Sequence, residues 1–578
     1  MSVRAMRSAI FVAALAFLVA IVLVVPLYPS PVSADVTNPL CPTEIVHFNP
    51  SNGQDIVVPT GFKVSVFKSG LNGPTGIAFL GNAKSFQVFV LESGHGLPSQ
   101  CNEQGSFPGG TFTNNNPFTP DILVFDQNGM LLRGPLGKPT AAGGGFQPAG
   151  PAIDIAFENG SKGGRLFATD SNQSIHGNGQ NNSSRIVIVD PDTGKVTPFI
   201  TGLPTGDHPA EMFAFKDGWI YWSQGSTTNS GVVGRDNNNG NNQQDIPCQQ
   251  ITLSQNVFNS GGGVTTSGYS PFGVHRPGAT VDAFESATGR GICDGAVLRA
   301  KLNGANPKAT IEPFSWGYRN PYGIRFAPKN HALQGNLFVT ENGEDERGAR
   351  PTNNSPDRLQ IAKQNPDGSP DYHGWPDRFG FLDSTQAVFN PVGGPGDDNQ
   401  AAVVGKPVQP VLAFPPQPIT SPVGIEPADV ALVGVDFVPK AFAVGVVKPG
   451  AALIGREGDF GFSAGNGSPE AGHDVELVNF SRPNDPLQIQ TSVFARNTTF
   501  EQAFPDGIRG INRPTNLRFG PDGCAYLVDY GAVRDFGQSD AATKFITPAD
   551  GPLVQFPGTG VIWRICGPVV GVEPEDDD

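Results

Sequence analysis

Short apolar runs, each broken by a hairpin containing Gly or Asn and closed by a polar cluster, recur along the chain. The copies are "PTGIAFLGNAKSFQVFVLESGHG" from Pro74, "PAIDIAFENGSKGGRLFATDSNQ" from Pro151 and "AEMFAFKDGWIYWSQGS" from Ala210. They continue as "NPYGIRFAPKNHALQGNLFVTENGE" from Asn320, "VGVDFVPKAFAVGVVKPGAALIGREGD" from Val433 and "PTNLRFGPDGCAYLVDYGA" from Pro514. Runs of this length bounded by turn residues read as strands. Most copies are followed by a further alternating segment, such as "DILVFDQNGMLL", "SRIVIVDPDTGKVTPFI", "GAVLRAKLNGANPKATIEPF" or "DVELVNF", which supplies outer strands. Repetition of a four-stranded unit at six places predicts an all-β chain folded as a six-bladed β-propeller.

The ends of the pattern fit a closed ring. "GFKVSVFKSGL" (Gly61 to Leu71) precedes the first unit and is placed to complete the last blade beside "GVIWRICGP" (Gly560 to Pro568), which would remove the open sheet edges. The propeller is therefore expected over 61–568, with an extension at 35–60. Uneven spacing locates two insertions, near 234–295 and near 345–380, the second interrupting the fourth unit. The stretch "ADVALVGVDF" fits the fifth unit or a seventh blade.

Composition agrees with a turn-dense β protein: 578 residues include 74 Gly and 54 Pro, with 16% charged. A net charge of −15 argues against nucleic acid as a partner. The tail at 569–578, ending "EPEDDD", reads as acidic and disordered. At the other end, Arg4 and Arg7 precede an apolar run to Val25, then Pro26 and the small residues Val32 and Ala34. Residues 1–34 read as a signal peptide or an uncleaved amino-terminal anchor, and any membrane contact would go through that segment. Six cysteines without a C-x-x-C suit structural disulfides in an extracellular or periplasmic, cell-envelope setting. Cys248 and Cys293 bracket one insertion and form the first expected pair. The absence of C-x-x-C-H excludes a fused c-type haem domain.

The chemistry is concentrated where units begin. "SWGYRNPYGIRF" places Arg319 and Asn320 immediately before an inner strand. Taken alone, Arg319 reads as stacked on Trp316 or paired with an acid, and Asn320 as a turn cap before Pro321. His208 in "GDHPAEMF", Arg456 in "LIGREGDF" and Arg513 in "NRPTNLRF" hold comparable positions in other units and shift that balance. Guanidinium groups directed at one cavity need negative partners, which suggests an anionic ligand.

"GAVLRAKLNGANP", "GYRNPYGIRFAP", "LFVTENGED" and "DYHGWP", in that order, resemble the soluble glucose/sorbosone dehydrogenase family, six-bladed propeller quinoproteins that hold pyrroloquinoline quinone beside Ca2+. The resemblance runs from Gly61 to Pro568 and is densest from Gly295 to Pro376. It implies that Arg319 and Asn320 grip the quinone, that Arg513, Arg456 and Gln147 also contact it, and that His208 is the general base. It further implies that the Gly343 and Glu344 carbonyls ligate calcium.

Two departures stand out: Thr515 where many members carry a second arginine, and Ser226 where glucose-oxidising members carry the aspartate that orients the histidine. "DRLQIAK" likewise replaces an acidic pair near further calcium sites. The expected function is oxidation of a sugar or related alcohol or aldehyde, with a small-molecule sugar substrate and an unidentified electron acceptor. The alternatives are a calcium-dependent propeller hydrolase of lactones, with Glu92, Glu341 and Asp529 as candidate axial acids, and a non-catalytic binding module.

Overall fold

The computed structural model describes residues 34–39, 41–94, 118–140, 143–172, 182–234, 237, 243–283, 292–329, 331–380, 382–392, 405–416, 424–459, 471–480, 489–504, 507–534 and 554–568. The signal or anchor segment up to residue 33, Cys101, the side chain of Cys41 and the acidic tail lie outside them. Among the described residues there is no α-helix, and hence none long and apolar enough to cross a membrane.

Alternation of short apolar strands with Gly-bearing turns yields six antiparallel sheets around one axis. Their innermost strands are Pro74–Asn82, Ile155–Phe157, Ala210–Lys216, Asn320–Phe326, Leu432–Phe437 and Pro514–Phe519, for blades 1 to 6. Each touches the next, and the last touches the first, so the ring is closed. "LVGVDF" is the inner strand of blade 5, and the sheets leave no place for a seventh blade among the described residues.

Closure is as expected. Lys63–Leu71 pairs antiparallel with Gly560–Cys566, from Leu71 opposite Gly560 to Lys63 opposite Cys566, and becomes the outer strand of blade 6. The extension adds Ile56–Val57 to the edge of blade 5. In the segment expected to interrupt blade 4, Arg358–Ala362 is that blade's own third strand, and Asp371–Tyr372 adds in parallel to blade 3.

Blade strands are apolar on both sides because each gap between neighbouring blades is filled by its own cluster. Phe79, Val88 and Val90 of blade 1 meet Phe67, Tyr526 and Ile562 of blade 6, while Phe89 and Val124 meet Phe157 and Val187 of blade 2. The other four junctions repeat this arrangement. At the axis the inner strands approach so closely that a Cβ on Gly323 would lie 2.4 Å from the Val433 carbonyl oxygen. Glycine is required there because any side chain would push the blades apart.

Among the described residues there are two disulfides. Cys248–Cys293, the pair expected from the sequence, clips the insertion in blade 3, and Cys524–Cys566 ties the second and third strands of blade 6.

Candidate active site at the channel mouth

The inner strands all start at one end of the channel, and the second strand of each blade finishes there. Pro74 lies opposite Glu92, Ala210 opposite Gln224, Asn320 opposite Asn342, Leu432 opposite Arg456 and Pro514 opposite Asp529. In these five blades the register shifts just after that first pair. Such bulges turn the entering side chains away from the regular pleat. His208, Arg319 and Arg513 stand immediately ahead of their inner strands, at this mouth.

His208 comes so close to the adjoining turn that a Cβ on Gly225 would lie 2.1 Å from its own Cβ. Its main-chain N–H donates to the Ser226 carbonyl at 3.1 Å, and the Ser226 hydroxyl donates to the Thr228 carbonyl at 2.6 Å. The carboxylate beside the imidazole belongs to Asp207, whose Oδ2 lies 3.6 Å from His208 Nδ1. That is ion-pair range rather than a hydrogen bond. The His208 side chain is 19% exposed and Asp207 is 1% exposed. A carboxylate therefore backs the histidine although Ser226 offers none.

Behind this pair lies a buried ionic lattice. Arg347 Nη2 donates to Asp207 Oδ2 at 2.5 Å and its Nε to Asp345 Oδ2 at 2.9 Å. Arg319 Nη2 bonds the same Asp345 oxygen and lies 3.7 Å from Asp207, while its Nε is buried without a hydrogen-bond partner. Burial favours a neutral Asp207, but Arg347, His208 and Arg319 outweigh it and hold the carboxyl well below the usual range. Asp207, Asp345 and Arg347 escaped the sequence reading, although "GDH" and "GEDER" carry them.

Asn320, 4% exposed, lies against the buried Glu211 rather than facing the open mouth. Arg513 is fully buried and donates to the carbonyls of Gly458 (3.1 Å) and Asp459 (2.9 Å). Electrostatic coupling links Arg513 to Glu457, Glu457 to Glu211, and Glu211 to Arg319. Burial raises Glu457 to about 7, against the pull of Arg513.

Two expected members are not brought into this group. Arg456 lies directly across the sheet from Asp474 and grips both its oxygens at 2.6 Å, with Nη1 3.3 Å from Glu426. Cross-strand opposition therefore spends its charge within blade 5. Gln147 is held by blade 2, its Nε2 donating to the Ser183 carbonyl at 2.7 Å and its N–H to Asp170 at 3.0 Å. Thr515 pins blade 6 to blade 1 through the Pro74 carbonyl at 3.0 Å.

In the expected calcium loop, the Gly343 N–H donates to Asp357 at 2.7 Å and the Glu344 carboxylate accepts from Ser355. The other Glu344 oxygen is buried without a hydrogen-bond partner, and burial raises this carboxyl to about 7. Among the described residues, no three or more His, Cys, Asp or Glu side chains are grouped to hold a metal ion.

The acids considered as axial ligands are committed elsewhere. Glu341 binds Arg358, and Asp529 accepts from the N–H groups of Asn512 and Arg513 and from Trp563. Glu92 accepts from Asn72 at 2.7 Å and lies directly across from Asp121. Burial and then Glu92 push Asp121 up to about 8. A carboxyl raised above its unfolded value of about 3.9 stabilises the fold when protonated, and that contribution is lost as pH rises from about 4 to about 8. Asp121→Asn should therefore gain thermal stability relative to the parent as pH increases, when melts at pH 5 and pH 8.5 are compared. An equal difference at both would contradict this assignment.

No protein-family model matches the chain, and no curated protein matches it. Among solved structures, the calcium structure of the Trichoderma reesei carbohydrate-active enzyme of family AA12 aligns over 89% of this chain and 98% of its own, at 14% identity and TM-score 0.47. The apo soluble aldose sugar dehydrogenase of Escherichia coli aligns over 88% and 99%, at 13% identity and TM-score 0.44. The PQQ-bound aldose sugar dehydrogenase of Streptomyces coelicolor aligns over 88% and 100%, at 13% identity and TM-score 0.40. The propeller assignment itself rests on the strand order and ring closure described above.

Proposed function

We propose that this chain is an exported oxidoreductase that oxidises a sugar or a related alcohol or aldehyde hydrate, with pyrroloquinoline quinone as cofactor. The observation that carries this reading is His208, partly exposed at the channel mouth and backed by an ionised Asp207. The two disulfides support export.

The residues suit a tricarboxylate quinone at two points. Arg319 keeps a buried Nε donor with no hydrogen-bond partner, and the buried Arg513 guanidinium, which donates to the Gly458 and Asp459 carbonyls, adds positive charge beside the mouth. Arg319 and Arg513 would hold the carboxylates, and the bound quinone would supply the two-electron acceptor. Asp207 favours the imidazolium that forms when His208 takes a hydroxyl proton from substrate, at the ring nitrogen turned away from that carboxylate. Arg347 and Arg319 keep Asp207 charged for this purpose. The buried lattice behind the histidine keeps water from that side.

The test is reconstitution. Chelator-stripped protein given the quinone and Ca2+ should acquire a quinone absorption band and reduce an artificial dye when offered aldoses. Lactone hydrolysis without band or dye reduction would replace this reading with the calcium-dependent hydrolase. Absence of every activity would replace it with a binding module.

A further inference from the structure

The run from Ser226 to Asn229 touches both sides of the ion pair behind the histidine. The Ser226 and Thr227 carbonyls accept the main-chain N–H groups of His208 and Asp207, at 3.1 and 2.9 Å. Two residues further on, the buried Asn229 reaches the partner of that aspartate. Its Nδ2 donates to the carbonyls of Asp345 (2.9 Å) and Arg347 (3.1 Å), and its Oδ1 accepts the Asp345 N–H at 2.9 Å. All three partners are main-chain groups of fixed character, so the amide has one orientation.

Asp207 and Arg347 stand 140 residues apart in the chain, and this short run grips the backbone of both. It therefore sets the distance between them. The run is itself anchored from the blade 3 insertion: Asp294 accepts from the Thr227 N–H at 2.9 Å and from its hydroxyl, and Asp245 from the Thr228 N–H at 3.0 Å and hydroxyl at 2.6 Å. Both carboxyls are buried, and the Cys248–Cys293 disulfide ties together the stretches that carry them. Buried polar groups satisfied in this way make a rigid support. The consequence falls on His208, which shares one oxygen, Asp207 Oδ2, with Arg347, at 3.6 and 2.5 Å. Arg347, and Arg319 at 3.7 Å from that oxygen, oppose a proton on the imidazole, whereas Asp207, Asp345 and, from the insertion, Asp245 favour one.

We propose that Asn229 is a positioning residue of this site: by holding the 345–347 turn it keeps Arg347 on Asp207, and so keeps the histidine ready to accept a proton rather than already carrying one. A base protonated before substrate arrives cannot act. This inference rests on the dehydrogenase reading, in which His208 is the base, but the charge placement beneath it can be measured without the quinone.

His208 is 19% exposed, which lets diethyl pyrocarbonate, a reagent for the neutral imidazole, report its protonation in the full chain without quinone, with the modified peptide identified by mass. In Asn229→Ala, Arg347 should draw away from Asp207, and the pH of half-reaction at His208 should rise by about one unit, the low end of what a charge at this range produces. After reconstitution with quinone and Ca2+, the acid limb of dye reduction should move upward by the same amount. Ser230→Ala, at the next residue, removes a bond to the Arg350 carbonyl and should lower the melting temperature while moving neither curve. Arg347→Gln should give a shift at least as large as Asn229→Ala, and the two together should shift no further, because both act through one charge. If Asn229→Ala fails to fold, Asn229→Ser, which returns a hydroxyl, should show the shift. An unmoved half-reaction in a folded Asn229 variant would overturn the proposal. A further shift in the double variant would overturn it as well, since Asn229 would then act by another route. Shifted modification without dye reduction by the reconstituted parent would remove the dehydrogenase reading and leave Arg347 placed by Asn229, whereas dye reduction by the parent with unshifted modification in the variants would remove this inference alone.

Discussion

His208→Gln is expected to keep the quinone absorption band after reconstitution while turnover falls by about two to four orders of magnitude, the usual contribution of a positioned general base. The two halves of this result separate the roles of the site. On the proposed reading band formation would depend on Arg319 and Arg513, which the substitution leaves in place, and Gln preserves most of the volume that packs over Gly225. Proton removal would depend on the imidazole alone. Added quinone should therefore rescue nothing. Near-normal turnover in the folded variant would remove His208 as the base. Asp207 gives a second check: Asp207→Asn removes the charge behind the imidazole and one partner of Arg347, so it should lower turnover without matching the loss at His208.

The second large effect is expected in stability. Arg358 and Glu341 are both fully buried and lie directly opposite each other in blade 4, with contacts of 2.9 and 2.6 Å. Glu341 also accepts the Arg319 main-chain N–H at 2.9 Å and a bond from Gln360, whose oxygen meets His373 Nδ1 at 2.7 Å. Removing one member of such a pair leaves a charge without compensation in a medium that cannot solvate it. Arg358→Met should cost about 3–5 kcal/mol by urea unfolding. Adding Glu341→Gln should restore part of that loss, because the amide keeps hydrogen-bonding capacity without the charge. A single-variant loss below about 1 kcal/mol would show that the pair contributes little.

These residues also explain where the sequence was legible and where it was not. The inner and second strands of the blades announced themselves because both faces of a blade are buried, which produces apolar runs such as "QVFVL" and "RLFAT" in the second strands of blades 1 and 2. The closing strand was found by the same pattern near Gly61, and the Cys248–Cys293 pair by its position around an insertion. "RLQIA" was taken for part of an insertion because Arg358 and Gln360 interrupt the apolar run. They are buried on account of Glu341, a partner fixed by sheet register rather than by spacing.

The acidic partners of the arginines were hidden in the same way. Buried arginines do need negative partners, but the chain supplies many of them itself. Arg347 reaches Asp207 from another blade and Arg456 meets Asp474 across the sheet, and neither juxtaposition can be read from local sequence. Asn320 was legible as a residue of the mouth but not as a neighbour of Glu211, which required the start of blade 3 to be set against the start of blade 4.

The strand that closes the ring imposes a delay on biosynthesis. Ser65 donates to the Arg564 carbonyl across 499 residues of chain, so a strand that has left the ribosome waits for a partner that far behind it. At about 5–20 residues per second, that interval is roughly 25–100 s. Until it ends, Lys63–Leu71 has no hydrogen-bonding neighbour and blade 1 has no apolar surface to cover Phe79 and Val88 on its blade 6 side. A nascent chain in this state exposes both a sheet edge and a hydrophobic face, the combination that invites pairing between chains emerging from one polysome.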